Sequence, residues 1–299
     1  MGRPLRIEFP DAVYHVTSRG DRQEPVFRDP TDRRRLLDIV DQAMGRLEAE
    51  MFAYCLMGNH YHFVLRTRLP NLSRLMRHIN GEYTRSFNRR HQVTGHVFQG
   101  RFHAVIVDTD AYLLKVCRYV ELNPVRAGLV AAVDQWPWCS YRAHVGTEPA
   151  PRWLATAVVH GHLLGHDVGT AADQILAQRL YEETVAAGRG VDLWGQHLHR
   201  EIYLGGKSFA AEMQARATGQ RLRCADIAKA QRTQSRNLAE WLTEERTRDE
   251  AFRLAYTRGG MTMPEIARQA GMSVSGISRI IAMAERLHDS RPDTATFKT

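Results

Sequence analysis

Cysteine is scarce in this chain, and long apolar runs are missing. Four cysteines occur in 299 residues, with no CxxC pair and no spacing typical of a disulfide framework. A chain of this length does not need cross-links to fold, so a reducing cytosol is expected. No run of 18 or more apolar residues is present, and the N-terminus lacks the apolar segment of a signal peptide. These absences argue against a disulfide-stapled secreted domain and a helical membrane protein.

Acidic residues are scarce in one stretch of the chain. Between Arg66 and Arg101, Glu82 is the single carboxylate among eight arginines, and the whole chain has a formal charge of +8. The eight are Arg66, Arg68, Arg74, Arg77, Arg85, Arg89, Arg90 and Arg101. Such a stretch predicts a surface that attracts a polyanion, although a solvated helix face is the plainer alternative.

Length and composition, with 43% apolar and 25% charged residues, are typical of two or three globular domains. We divide the chain into residues 1–146, 147–219 and 220–299. In the first part we expect strands at residues 12–18, 52–57, 60–67 and 97–107, and helices from Thr31 to about residue 50 and from Asn71 to about Arg90. This βαββαβ order predicts an α+β, ferredoxin-like fold with a mostly antiparallel sheet, covered by helices on one face and open on the other.

Two histidines stand two residues apart at the start of the third strand. Gly58-Asn59 favours a tight hairpin just before it. Because alternate residues of a strand face the same side, His60 and His62 are expected on the open face of the sheet, together with Arg66. Imidazoles at this spacing can bind one divalent cation, while a structural pair is the commoner alternative.

A third helix is expected from residues 108–110 to Asn123, because Pro124 cannot continue it. Its apolar stripe consists of Leu113, Leu114, Cys117 and Val120. Tyr119 lies off that stripe and is aligned with Tyr112, Lys115 and Asn123. Because Tyr119 is not part of the apolar stripe, it is available for chemistry. The alternative is an ordinary tyrosine of the helix surface or of a secondary core.

Several ordered sequence blocks resemble the single-tyrosine HUH transposases, and within them the REP-associated tyrosine transposases. The blocks are GNHYHFVL, SFNRRH, GHVFQGRF, YVELNPVRAGLV and WPWCSY, all within residues 1–145. The resemblance implies that His60 and His62 bind a divalent metal and that Tyr119 is the nucleophile. It also implies that Asn123, one helical turn later, is a further metal ligand. Tyr61 stands at a position where an aromatic residue is a permitted variant.

The implied chemistry is consistent with these residue types. A phenol has a pKa of about 10, so it needs a cation near the phosphate to attack at neutral pH. Two imidazoles and an amide suit Mg²⁺ or Mn²⁺, and would also tolerate Zn²⁺ or Ni²⁺. The resemblance implies that the protein cleaves and rejoins hairpin-containing single-stranded DNA through a 5′-phosphotyrosine, and that rejoining needs no ATP. It also implies a bacterial protein associated with the nucleoid. The expected DNA contacts in this part are Arg66, Arg74, Arg77, Arg85, Arg89, Arg90 and Lys115, with a solvated lysine as the alternative for the last.

The rest of the chain has helical patterns. In the middle part these are expected at residues 153–154, 155–164, 171–187 and 192–217. Five histidines there suggest a second metal site, but helical geometry points His160 and His162 about 200° apart. The five are His160, His162, His166, His197 and His199.

The last part has the pattern of a helix-turn-helix and weakly resembles the DNA-binding domain of the replication initiator DnaA. Residues 262–265 form a capping box, residues 270–272 a turn, and Ser273 a second cap. The expected inner face of the second helix is Val274, Ile277, Ile280 and Ile281, and the expected outer face for duplex DNA is Ser275, Gly276, Ser278 and Arg279. Basic residues before it, expected on phosphates, are Arg221, Arg223, Lys229, Arg232 and Arg236. A plain helical hairpin is the alternative.

Two functions are compatible with these patterns. The first is a metal-dependent DNA transposase and single-strand endonuclease, for which a chain ending near Gly146 is expected to keep cleavage. The second is a sequence-specific regulator that binds DNA through residues 220–299 and has a vestigial nuclease domain. Intact His60, His62, Tyr119 and Asn123 favour the enzyme. The sequence leaves monomer and homodimer open.

Overall fold

The computed structural model describes residues 7–188, 198–199, 202–206, 208–216, 237–244, 247–257, 261 and 263–289. The chain divides into two compact units, Met1–Thr218 and Gly219–Thr299. The expected helical middle part therefore belongs to the first unit. Within the described residues, no helix is both long and apolar enough to cross a membrane.

The first unit begins with the expected order of strands and helices. Its elements are β1 (Ala12–Arg19), α1 (Pro30–Arg46), β2 (Ala49–Leu56), β3 (His60–Thr67), α2 (Leu72–His91), β4 (His103–Val107) and α3 (Thr109–Glu121). They are followed by α4 (Asn123–Arg126), α5 (Tyr141–His144), α6 (Thr156–Leu164), α7 (Ala171–Ala186), β5 (Leu198–His199) and β6 (Tyr203–Leu204). The predicted βαββαβ order is confirmed.

The strands form one sheet in the order β2-β3-β1-β4-β6-β5. Strand β1 is antiparallel to both β3 and β4, and β2 is antiparallel to β3. These four strands have the ferredoxin-like arrangement, which the short strand β6 extends by pairing parallel to β4. The register places Thr17 of β1 opposite both His62 of β3 and His103 of β4.

Helices cover both faces of the sheet, so the expectation of one open face is wrong. On the first face, Tyr14, Tyr61 and Phe63 pack in one core cluster with the inner sides of α1 and α2. On the second face, Val13, Val64 and Val105 pack with α3 and with residues of the middle part, including Val159 and Tyr181. The sequence pattern predicts amphipathic helices in the middle part, but it does not predict that they cover the second face of the sheet.

A buried carboxylate ties α3 to the middle part of the chain. Glu121 is fully buried and accepts hydrogen bonds from Ser140 Oγ at 2.5 Å and Tyr181 Oη at 2.8 Å. Burial raises the pKa of Glu121 to about 8, and the two hydrogen bonds lower it in part. The ring of Tyr181 also stacks on that of His144. Helix α3 is therefore held from the side of α5 and α7.

Several boundaries differ from the sequence-based expectations. The cap of α1 is Asp29 rather than Thr31, because the Asp29 carboxylate accepts from the backbone N–H groups of Thr31 and Asp32. Strand β4 begins at His103, after an irregular segment. The chain forms α4 directly after α3, with Pro124 near its start, where proline is tolerated. No helix forms at residues 153–154, and residues 198–199 and 203–204 are strands where a helix was expected.

The packing of the middle part changes the expectation for a truncated chain. Without residues 147–218, the second face would lose Val159, Tyr181, Val185 and Leu204, all nearly fully buried. Their burial contributes on the order of 6–12 kcal/mol, comparable to the whole stability of a domain. We expect a chain ending at Gly146 to lose its cooperative thermal transition by circular dichroism, whereas a chain ending at Thr218 keeps it. Equal melting curves for the two would contradict this.

The second unit is helical. Its described helices are α8 (Leu238–Glu244), α9 (Arg248–Thr257), α10 (Met263–Ala270) and α11 (Val274–Asp289). Phe252, Ile266, Ile277 and Ile281 are among its buried core residues.

The two helices expected for the helix-turn-helix are therefore present as α10 and α11. Gly271 turns the chain with a φ of +66°, and Ser273 Oγ accepts from the backbone N–H of Gly276. Val274 is 46% exposed, so its expected place on the inner face is wrong. Thr262 of the capping box and the basic residues at 221–236 lie outside the described residues.

Candidate active site

Three histidines lie together on the second face of the sheet. The ring centroids of His60 and His62 are 4.9 Å apart. The ring of His15, on β1, stacks on that of His62, with centroids 5.2 Å apart and planes within 2° of parallel. They meet because β1 and β3 are antiparallel neighbours and alternate residues of each strand face the same side. The structure thus brings the two predicted ligands together and adds an imidazole that the sequence pattern does not single out.

A hydrogen bond between His15 and His62 sets the orientation of one predicted ligand. His15 Nε2 lies 3.0 Å from His62 Nδ1. His62 Nε2 is buried and has no hydrogen-bond partner among the described residues. With His62 donating through Nδ1, its Nε2 has the lone pair that a metal ligand needs. His60 is oriented in a similar way, since its Nδ1 lies 2.7 Å from Asn59 Oδ1.

The environment keeps all three imidazoles neutral at neutral pH. Burial lowers the pKa of His15 to about 3, with a smaller contribution from His103. Burial, followed by Arg19, lowers the pKa of His60 to about 4. The pKa of His62 lies well below its usual value, mainly because the side chain is buried. Neutral imidazoles have the lone pair that binds a cation, so this environment fits a metal site.

Tyr119 of α3 lies beside the histidines. Its ring stands edge-on to that of His15, with centroids 6.2 Å apart and an interplanar angle of 81°. The guanidinium carbon of Arg126 lies 4.3 Å from the centroid of the Tyr119 ring. The side chain is half-buried at the margin of the second core cluster. The residue predicted as the nucleophile is therefore in the histidine cluster, with a cation over its ring.

Asn123 is the first residue of α4, one turn after Tyr119. Its Nδ2 donates to the carbonyl oxygens of Tyr119 and Val120, at 3.0 and 3.1 Å. These bonds leave Oδ1 as the side-chain atom that can bind a cation. Among the described residues, no group of three His, Cys, Asp or Glu side chains is placed to hold a metal ion. A metal at His60 and His62 would therefore need an amide or phosphate oxygen as well.

The other two tyrosines considered from the sequence have different surroundings. Tyr83 packs in the first core cluster, across the sheet from the histidines, and its hydroxyl donates to the carbonyl oxygen of Val26 at 2.5 Å. Tyr112 is buried in the second cluster, and Lys115 Nζ lies 4.4 Å from its ring centroid. Lys115 is thus placed over Tyr112.

Within the described residues, carboxylate partners are seen for Arg66, Arg68, Arg85 and Arg90 of the acid-poor stretch. The pairs are Arg66 with Glu50, Arg68 with Asp11 and Glu50, Arg85 with Glu82, and Arg90 with Asp29 and Asp32. At these four positions the carboxylate partners reduce the net positive charge of the surface that was predicted to attract a polyanion. Arg77, Arg89 and Arg101 are exposed and form no ion pair within the described part of the chain. Arg74 is half-buried on α2.

The expected duplex-binding residues lie on α11. Ser275, Ser278 and Arg279 are exposed, and Gly276 is half-buried. The Arg279 guanidinium donates from Nε to the backbone carbonyl of Ser275 at 3.4 Å. These exposed side chains of α11 are polar, as base and phosphate contacts to duplex DNA require, whereas Val274 and Met283 of the same helix are exposed apolar residues.

Comparison with known proteins finds matches to the N-terminal part of the chain. Residues 9–123 match the family model described as transposase, IS200-like. A curated relative, the putative REP-associated tyrosine transposase of Haemophilus influenzae, is 26% identical over 115 residues. That match covers 34% of this chain and 64% of the relative, so it spans less than two thirds of the relative's length.

A solved structure is also similar to this chain. It is described as a REP-associated tyrosine transposase bound to a REP hairpin. The two are 18% identical with a TM-score of 0.44, and the match covers 52% of this chain and 92% of the other.

Proposed function

We propose that the protein is a tyrosine transposase that cleaves and rejoins single-stranded DNA. The match of residues 9–123 to the family model described as transposase, IS200-like, supports this proposal. The observation that supports this reaction most directly is the position of Tyr119 beside His15, which is stacked on His62. A nucleophile and two predicted metal ligands on one face of a sheet can act on the same phosphate.

In the proposed reaction, Tyr119 Oη attacks the scissile phosphorus while the bond from phosphorus to O3′ breaks. The phenolic proton passes to solvent and the leaving oxygen takes up a proton, so the products are a 5′-phosphotyrosine and a free 3′-hydroxyl. The diester is conserved, and rejoining is the reverse attack without ATP. The cation of Arg126 lies over the Tyr119 ring, 4.3 Å from its centroid, and adds positive charge beside the attacking residue.

The proposed metal ligands are the Nε2 atoms of His60 and His62 and Oδ1 of Asn123. When bound there, Mg²⁺ or Mn²⁺ would neutralise charge on the scissile phosphate. The neutral imidazoles and the unpartnered Nε2 of His62 support this assignment. His15 would act as a positioning residue, by holding His62 in the ligand tautomer.

The role of His15 leads to a prediction. The substitution His15→Phe is expected to weaken Mn²⁺ binding by about 10–100-fold, because His62 loses the group that orients it. His15→Gln offers a carbonyl acceptor to His62 Nδ1 and is expected to restore part of the affinity. Calorimetric titration with Mn²⁺, with melting temperatures measured in parallel, gives the comparison. Equal affinity in His15→Phe and the parent would show that His62 is oriented without it.

Two surfaces are proposed to bind DNA. Helix α2 would contact hairpin-containing DNA, mainly through Arg77 and Arg89. Further DNA contacts are proposed for Arg66, Arg74, Arg85, Arg90 and Lys115. Arg66, Arg85 and Arg90 each have a carboxylate partner, which weakens their attraction for phosphate. In the second unit, α11 would enter the major groove of duplex DNA with Ser275, Ser278 and Arg279. Such contacts would place the protein on bacterial chromosomal DNA.

The test of the proposed function is a panel of hairpin oligonucleotides with single-stranded flanks, incubated with the full chain and Mn²⁺ or Mg²⁺. A protein–DNA adduct that survives denaturation is the expected result. A regulator that uses residues 220–299 alone would bind a duplex and leave every hairpin intact. The family match at residues 9–123 favours the enzyme over this alternative.

A further inference from the structure

A cavity lies on the opposite side of the sheet from the histidines, between α2 and the segment that precedes β4. Its volume is about 490 Å³, within the range of ligand pockets in proteins. On the α2 side its lining includes Arg77, Asn80, Gly81 and Thr84, and on the other side His96, Phe98, Arg101 and Phe102.

The lining combines three kinds of chemistry. Phe98 and Phe102 are nearly buried and give the cavity an aromatic floor. Arg77 and Arg101 are exposed at its rim and form no ion pair within the described residues, and no carboxylate lines the cavity. Thr84 adds a hydroxyl that can donate or accept a hydrogen bond. An aromatic floor, a few hydrogen-bonding groups and a cationic rim together match a nucleobase with its phosphate.

The segment that lines the cavity lies beside the end of β1, where Arg19 pairs with His60 of β3. Gln99 N of this segment donates to the carbonyl oxygen of Arg19 in β1, and Asp21 N, just after β1, donates to the carbonyl oxygen of Val97. Phe102 lines the cavity just before β4, and the next residue, His103, pairs with Thr17 of β1, which pairs on its other side with His62.

Tyr61 connects the two sites through the sheet. It stands between His60 and His62 in β3 but faces the other way, into the first core cluster. Its hydroxyl donates to Asn80 Oδ1 at 2.5 Å, and Asn80 lines the cavity. The hydrogen bond fixes a side chain of the cavity wall relative to the strand that holds the histidines.

We propose that this cavity binds one unpaired nucleotide of the DNA strand, with its base against Phe98 and Phe102 and its phosphate at Arg77 and Arg101. This rests on the proposed function only in taking single-stranded DNA as the ligand. A base bound here fixes the position of the strand that continues to Tyr119. The cavity would thereby favour strands with an unpaired nucleotide at one fixed distance from the cleaved bond.

Gly81 offers a way to fill the cavity without removing charge. It lies within α2, it lines the cavity, and a Cβ added there meets no atom within 4 Å. Gly81→Leu therefore places an apolar side chain in the cavity, and a helical leucine is more favourable than glycine. Gly45 of α1 is the matched control, because a Cβ there also meets nothing within 4 Å and the residue lies outside the cavity lining.

The experiment compares Gly81→Leu, Gly45→Leu and the parent chain in binding a fluorescein-labelled single-stranded oligonucleotide of mixed sequence, by anisotropy. We expect Gly81→Leu to bind about tenfold more weakly, as for the loss of one stacked base, and Gly45→Leu to match the parent. An Arg101→Ala chain is expected to lose affinity in the same direction. Thymidine monophosphate serves as a free-nucleotide competitor and is expected to displace the oligonucleotide only weakly.

Covalent adduct formation is measured in parallel at saturating DNA, so that the two proposals fail separately. Equal affinities for Gly81→Leu and Gly45→Leu would overturn the cavity proposal, even if adducts form. Weaker binding by Gly81→Leu without adducts in any chain would support the cavity and reject the cleavage reaction. Absence of single-strand binding by the parent chain would overturn both.

Discussion

A Tyr119→Phe chain is expected to bind DNA and metal like the parent but to form no covalent protein–DNA adduct. The substitution removes only the phenolic oxygen, and the ring keeps its edge-on contact with His15 and its place under Arg126. The expected effect is complete loss of adduct on a denaturing gel, because no other atom of the side chain can attack phosphorus.

The matched controls are tyrosines at other positions. Tyr112→Phe changes the same helix, and Tyr83→Phe changes α2 across the sheet. Both are expected to form adducts, although loss of the hydrogen bond to Val26 makes Tyr83→Phe less stable by about 1 kcal/mol. A Tyr119→Phe chain that still becomes attached to cleaved DNA would show that another residue is the nucleophile.

The second large effect is expected at the predicted metal ligands. His60→Ala is expected to lower the cleavage rate by on the order of 10²–10³, because the phosphate loses a preorganised cation. His60 is half-buried, so the fold should tolerate the change. His62→Ala should abolish cleavage as well, but His62 is buried and bonded to His15, so that variant also loses stability, by about 2 kcal/mol.

The measurement combines single-turnover cleavage with calorimetric titration of Mn²⁺. His166→Ala is the control, since His166 is exposed and belongs to the middle part. Both variants at the predicted ligands should lose Mn²⁺ binding, while the control keeps it. If His60→Ala cleaves DNA at the parent rate, the proposal that His60 and His62 bind a catalytic metal is contradicted.

The local features of the fold could be predicted from the sequence. Strand β3 begins and ends as expected, at His60 and Thr67, because alternation and the preceding hairpin signal fix both its period and its start. The predicted inner stripe of α2 is buried, as its helical spacing indicates. The placement of Tyr119 off the apolar stripe of α3 also agrees with its half-buried position.

The features that depend on distant parts of the chain could not be predicted. His15 stands in a strand pattern, but which histidine it meets follows from the register of β1 against β3. His62 is buried on the second face, where its ring stacks on that of His15 and where α3 and helices of the middle part pack. The neutralisation of Arg66 and Arg90 depends on Glu50 and Asp29, which precede the arginine stretch. Each of these is a tertiary contact for which a local pattern contains no signal.

The polarity of the covalent link tests the central claim most directly. The full chain with Mn²⁺ is incubated with a cleavable hairpin oligonucleotide labelled either at its 5′ end or at its 3′ end, and the denatured protein is examined for label. Attack by Tyr119 with departure of O3′ predicts that the 3′-end label stays on the protein and that the 5′-end label is released on a fragment with a free 3′-hydroxyl. Retention of the 5′-end label on the protein, or cleavage with no label retained from either end, would contradict a 5′-phosphotyrosine intermediate.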